Sequence, residues 1–177
     1  MNTIKQTYLI DASPGEVWRA LTEPEMIELW SDADAEFEPR QGAEYALWDG
    51  SIVGEVVAVV PRKKLAMTWQ PGYWTIEDSL VTFTLTPVGK KTRIDLLHEN
   101  VEAFDYEGTR EGWDAYYLGA IKRMLDAKKT RNTKLAKKAK AAKGKIAKKA
   151  KAVKGKSAGK KSGVKRKTRA RKPRQAR

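Results

Sequence analysis

The sequence predicts an α+β fold, a curved antiparallel sheet wrapped around a long C-terminal helix, with two short helices after the first strand. Three observations predict it. Apolar residues alternate with period two from Ile4 to about His98, then recur at three and four after residue 106. Helix-start signals cluster just behind the first strand. Turn dipeptides separate the intervening runs at hairpin spacing. Strands first, one long helix last, is the order of a sheet that packs a single helix.

The elements follow in turn. Ile4, Gln6, Tyr8 and Ile10 alternate against Lys5, Thr7 and Leu9, a first strand. In Ser13-Pro14-Gly15-Glu16, the serine can cap new helix amides, the proline suits the first helical position and the glutamate completes a capping box. Val17, Trp18 and Leu21 give that helix its apolar side. Thr22 with Glu25 offers a second capping box, opening a short helix expected to bury Met26, Leu29 and Trp30. Tyr45, Leu47 and Trp48 run into Asp49-Gly50, two residues that tolerate positive φ in a tight hairpin. Ile52 to Val60 is β-branched and ends at Pro61. Leu65, Met67 and Trp69 share a face before Pro71-Gly72, Val81, Phe83 and Leu85 alternate with threonines, and Ile94, Leu96 and His98 line a last strand after the turn at Val88-Gly89-Lys90. Trp113, Tyr117, Ala120, Ile121, Met124 and Leu125 then form the stripe of a helix on a sheet over residues 106–126.

Charge divides the chain more sharply than periodicity does. Residues 1–126 hold all 22 Asp and Glu with 12 of the 36 Lys and Arg, a net −10; residues 127–177 hold the other 24 basic residues and no acid. The last aromatic residue is Tyr117. We therefore expect a folded domain over 1–126 and a disordered Lys/Ala/Arg-rich tail over 127–177, too poor in large apolar side chains to offset its ordering entropy. Within the tail, residues 135–145 and 146–156 repeat with nine of eleven positions identical. Eleven residues make almost three helical turns, so Leu135, Ala139, Ala142, Ile146, Ala150 and Val153 would line one side of a helix. Lysine repulsion, Gly144 and Gly155 should keep that helix open in free solution, and phosphate neutralisation should allow it to close.

Several phrases in order carry a family resemblance. Asp11-Ala12-Ser13-Pro14 with Glu16-Val17-Trp18, the stretch from Pro24 to Trp30, Phe37-Glu38-Pro39 with Gly42, and Gly54-Glu55-Val56 before Pro61 resemble START-like (SRPBCC, helix-grip) domains. Leu65, Thr68-Trp69, His98 and Gly112-Trp113 narrow this to the branch similar to the C-terminal domain of the Hsp-90 ATPase activator. The resemblance implies a helix-grip fold and a hydrophobic cavity between long helix and sheet, which some members fill with lipids or polyketides. The co-chaperone relatives are instead expected to touch their partner through the domain surface. The tail is similar in composition to the lysine/alanine-rich tails of linker histones and of some bacterial nucleoid proteins.

Candidate residues follow from the pattern. Trp30, Tyr45, Trp69, Phe83, Leu96, His98, Trp113 and Tyr117 fall at inward positions, so they wall a ligand cavity or simply pack the core. Trp48 and Trp74, beside turns, suit a pocket mouth or a contact surface. His98 is the single histidine; it either orients a ligand or carries a proton, or it is a core histidine satisfied by a carbonyl or a tyrosine hydroxyl. Asp32, Asp34, Glu36 and Glu38 alternate with Ala33, Ala35 and Phe37, placing four carboxylates about 6.7 Å apart on one extended face. A solvated edge, cation binding, and docking of the basic tail are the readings there. Phosphate binding is assigned to Lys137, Lys138, Lys140, Lys143, Lys145, Lys148, Lys149, Lys151, Lys154 and Lys156, followed by Arg166, Arg169, Arg171 and Arg174.

These readings converge on a non-enzymatic domain that binds a hydrophobic small molecule or a protein and is tethered to duplex DNA by its tail without base readout. The alternatives are a co-chaperone-like protein-binding module and a small-molecule cyclase or hydrolase using the same cavity. Cysteine is absent, which removes disulfides, thiolate nucleophiles and thiolate metal sites. No phosphate-cradling glycine loop or serine–histidine–aspartate spacing appears. No cofactor, metal or membrane span is expected, and the predicted setting is cytoplasmic and nucleoid-associated, or nuclear in a eukaryote.

Overall fold

A computed structural model of the chain describes residues 2–157, with side chains through 138 and at 140. Strand β1 (Ile4–Ile10) leads into helices α1 (Pro14–Thr22) and α2 (Pro24–Ser31). Six strands follow: β2 (Glu44–Leu47), β3 (Ile52–Val60), β4 (Lys64–Thr68), β5 (Gln70–Pro71), β6 (Leu80–Val88) and β7 (Lys91–Glu99). A 3₁₀ turn (Ala103–Asp105), helix α3 (Tyr106–Gly112), a π turn (Trp113–Tyr117) and helix α4 (Leu118–Ser157) complete the described chain. All pairings are antiparallel in the order β1-β7-β6-β4-β3-β2, with β5 added on β3. The sheet and the C-terminal helix make up the helix-grip α+β fold that the sequence predicts.

The register explains the core. Ile4 faces His98, His98 faces Val81, Val81 faces Met67 and Met67 faces Val56, one row across five strands that is fully buried. The helices close this face, burying Val17 and Leu21 of α1, Ile27 and Trp30 of α2, and Leu118, Ile121 and Leu125 of α4. The first compact unit of the chain is Met1–Thr133, and α4 continues without a break past residue 126. Asp126, the last acid, helps fix α4 to the end of β1: its carboxylate accepts from the Asp11 amide (3.1 Å) and from Lys122 Nζ (2.7 Å), while Lys129 pairs with Asp11.

The capping box at α1 forms as predicted. Glu16 N–H donates to Ser13 Oγ (3.3 Å), and Ser13 N–H donates to Glu16 Oε2 (3.0 Å). The second box does not form. Pro24 occupies the first turn of α2 and holds Glu23 extended, so Glu23 becomes the cap, without a side-chain bond, and the Thr22 hydroxyl donates to Trp18 O (2.8 Å) instead. The buried face of α2 differs too: Ile27 and Trp30 point inward, three apart, and Leu29 is 67% exposed.

The predicted single helix over 106–126 is interrupted. Leu118 N–H reaches back to Trp113 O, a turn with one residue more than an α-turn. Tyr117 and Leu118, neighbours in sequence, are consequently both buried. Gly119 is required by this turn, because a Cβ there would collide with the Asp114 carbonyl oxygen. Gly54 in β3 is required in the same way: a Cβ would strike the Thr68 carbonyl and the Tyr45 ring. Asp32, Asp34, Glu36 and Glu38 are exposed while Ala35 and Phe37 are buried, so the acidic run is a solvated edge whose Glu36 makes one bridge to Ala46 of β2.

Candidate functional site

The site is a pocket of about 540 Å³ at one end of the sheet, bounded by the β2–β3 turn, β5 and the α3–π segment. The turn supplies Trp48, whose φ of 49° lies in the left-handed region, as do Asp49 and Gly50 behind it. That reversal lays the Trp48 ring against Trp69 (6.4 Å between centroids) and Tyr117 (5.7 Å). Trp69 sits at the break between β4 and β5 and packs on Trp113 at 4.7 Å. Trp113 and Tyr117 come from the two ends of the π turn and lie 4.9 Å apart. Opposite these rings, Gly108 and Gly112 line the pocket four residues apart on α3, with Thr109 the one larger α3 residue beside them, so the helix leaves the cleft open.

The mouth is aromatic and exposed. Tyr73 (63%) and Tyr116 (70%) line it, and Phe104 (69%) rests beside Tyr73. The loop carrying Tyr73 is pinned by two carboxylates. Asp105 Oδ2 accepts from Tyr73 Oη (2.7 Å), Trp74 Nε1 (2.8 Å) and Thr109 Oγ1 (3.2 Å). Glu102 Oε2 accepts from Thr75 Oγ1 (2.9 Å) and from the Thr75 and Ile76 amides, and the Thr75 hydroxyl bond holds the Glu102 carboxyl below the usual range.

Of the eight candidate cavity residues, Trp69, Trp113 and Tyr117 line the pocket. Trp30, Tyr45, Phe83, Leu96 and His98 belong to the buried core and not to the pocket lining. Trp30 donates its indole N–H to Ala20 O (2.8 Å), tying α2 to α1, and Tyr45 donates to Thr68 O (2.6 Å). Trp48 lines the pocket and Trp74 is buried.

His98 is the polar member of an apolar row. It stacks on Trp74, with Trp69 and Trp113 edge-on. Trp113 Nε1–H donates to His98 Nδ1 (3.2 Å), which places the imidazole proton on Nε2; that N–H donates to Ser79 Oγ (2.8 Å), and the serine donates to Glu99 O (3.4 Å). Burial pushes its pKa down from 6.5 to about 3. The ring is thus a neutral strut, satisfied by an indole and a hydroxyl. Tyr117 is its opposite: its buried hydroxyl has no hydrogen-bond partner among the described residues, and burial pushes its pKa up.

The pattern of alternation missed Asp105, Tyr73 and Tyr116 as pocket residues, because they sit in turns and irregular helix. The Gly108 and Gly112 pair was the available signal, since two glycines at helical spacing beside Trp113 mark a concave face. Among the tail lysines, Lys137, Lys138 and Lys140 are exposed on α4. Lys143, Lys145, Lys148, Lys149, Lys151, Lys154 and Lys156 lie along its backbone, their side chains outside those described. Arg166, Arg169, Arg171 and Arg174 lie outside the described residues. Among the described residues no three His, Cys, Asp or Glu converge as a metal site, and no helix is long and apolar enough to cross a membrane.

A sheet gripping a helix, with an aromatic cleft at one end, defines a START-like domain. The family model described as Activator of Hsp90 ATPase homolog 1-like protein matches residues 11–126, and the chain belongs to this family. It is similar to the mouse activator of 90 kDa heat shock protein ATPase homolog 1, 35% identical over 70% of this chain and 36% of that protein. The chain therefore spans about a third of the length of that curated relative. Among solved structures it resembles a Mesorhizobium loti protein (TM-score 0.62, 32% identity, 71% of this chain and 98% of that one). It also resembles an HSP90 activator from Plasmodium falciparum (TM-score 0.66, 25% identity, 70% and 96%).

Proposed function

We propose that the domain is a non-catalytic binding module whose aromatic pocket takes a hydrophobic small molecule, and that the basic tail holds the chain on duplex DNA without sequence preference. The observation that carries the first part is the pocket itself: about 540 Å³, within the range of drug-sized sites, walled by Trp48, Trp69, Trp113 and Tyr117. The one histidine supports a binding role over a catalytic one, since it is buried, neutral and already bonded at both nitrogens. A neutral fluorescent apolar dye should bind the protein and be lost on Gly112→Leu, which places a side chain in the cleft where an added Cβ meets nothing within 4 Å. Undiminished dye binding by that variant would refute the pocket reading.

The tail assignment rests on 24 basic residues without an acid after Asp126. Contact with on the order of 10 phosphates predicts a log-affinity slope of about −9 against log salt. The full chain should retard random duplexes with that steepness, and a chain ending at Thr133 should not. Retention of binding by the shorter chain, or indifference to salt, would overturn the tether and with it the nucleoid association proposed for a cytoplasmic protein.

Family membership favours a second reading, a surface that docks an Hsp90-class chaperone. The exposed rim of Tyr73, Phe104 and Tyr116 is the surface that fits it. Replacing Phe104, which is exposed and outside the pocket lining, by alanine should then weaken chaperone binding in calorimetry and leave dye binding intact.

A further inference from the structure

We infer that the pocket selects a hydrophobic cation, an apolar or aromatic body carrying one ammonium-type nitrogen. The inference rests on the pocket being a ligand site and adds the charge of its occupant. The wall consists of electron-rich rings in mutual contact: Trp48 on Trp69, Trp69 on Trp113, and Trp113 on Tyr117. Indole and phenol faces attract a cation through their quadrupoles, most strongly where water is excluded.

The charge balance of the lining points the same way. Among the described residues, the one charged member of the lining is Asp105, and no Lys, Arg or His lines it. Tyr73, Trp74 and Thr109 hold one oxygen of that carboxylate with three neutral donors, which fix its position without cancelling its charge. No Lys or Arg among the described residues forms an ion pair with it. An anionic amphiphile would therefore meet a carboxylate and no counter-charge, whereas a cationic one meets ring faces and an acid. The pocket is larger than an ammonium head group alone requires, so the remaining volume suits an apolar body.

Three probes with one alkyl chain separate the possibilities: decyltrimethylammonium, decanol and decanoate, each below its micelle concentration and titrated against the full chain. All six tryptophans lie within the first 113 residues, so intrinsic fluorescence reports the domain and not the tail. Binding at the pocket is the part abolished by Gly112→Leu, which removes contributions from the acidic surface and the basic tail. At that position an added Cβ meets nothing within 4 Å and leucine is the better helix former, so the substitution is compatible with the fold, which the circular dichroism spectrum of the variant checks. The ammonium should bind about tenfold more tightly than the alcohol, and decanoate should bind most weakly. Asp105→Asn should lower the ratio of ammonium to alcohol affinity measured in that same variant toward one. Equal or tighter pocket binding of decanoate, or no preference of the ammonium over the alcohol, overturns the cation inference and leaves the pocket standing. If none of the three gives a signal sensitive to Gly112→Leu, the pocket reading fails and this inference falls with it. The unmodified protein compared with Gly112→Leu decides the charge preference, whatever the stability of Asp105→Asn.

Discussion

Lowering the pH should destabilise the protein through His98 well before the ring is protonated in the native state. In the unfolded chain the imidazole takes a proton below its ordinary pKa of 6.5, whereas in the folded chain burial delays this to about 3. Between those values the unfolded state binds more protons, so stability rises with pH through the window and is lost as pH falls. Linkage gives about 2–3 kcal/mol of lost stability at about pH 4.5, two units below the unfolded value. Acid-titrating carboxylates add their own dependence, so the measurement is a comparison. Urea denaturation of the wild type and of His98→Gln at about pH 7 and pH 4.5 should give a drop that is larger in the wild type by about 2–3 kcal/mol. The variant should also start lower, by ~1–3 kcal/mol at neutral pH, where Ser79 and the Trp113 indole lose their present partner. An equal pH loss in both proteins, or a native imidazole NMR titration centred near its ordinary value, would refute the assignment of His98 as a buried neutral strut.

Three further outcomes are expected. Ser13→Ala should cost ~1 kcal/mol in chemical denaturation by removing the N-cap acceptor of α1. Gly54→Ala should cost more, about 2–3 kcal/mol, because the new methyl meets strand backbone that cannot rotate away. Gly119→Ala should destabilise by ~1–3 kcal/mol although alanine is the better helix former, since the collision with the Asp114 carbonyl opposes the wide turn; a gain in melting temperature would contradict this.

Alternation made β1, β6 and β7 legible, because each has one face in the core and one outside, and period two follows directly; β3 was legible from its β-branched run ending at Pro61. The α1 cap was legible for a local reason: both partners lie within four residues. The α2 start was misread because two signals competed at Thr22 and Pro24, and the fixed φ of proline is the stronger constraint. The wide turn at Trp113–Tyr117 left only the adjacent burial of Tyr117 and Leu118 as its trace, which resembles an ordinary helical stripe when read from sequence. Inward positions were recognisable as inward, but alternation cannot tell a residue that packs another side chain from one that borders a void. Trp30 and Phe83 therefore looked the same as Trp69 and Trp113. The separation needs the course of the β2–β3 turn and the placement of α3 opposite it, which are tertiary facts.

The wide turn behaves as a one-residue insertion stored inside a helix. Upstream of it, the chain shapes the rim of a cleft; downstream, it seals an oily interior whose tolerance for change is small. Because Trp113 and Tyr117 at its two ends serve the cleft and the interior at once, altering the length of that short stretch by one would re-aim the cleft and re-sort the interior together. Ligand preference in such a domain is therefore yoked to the hydrophobic packing, because the same rings do both jobs.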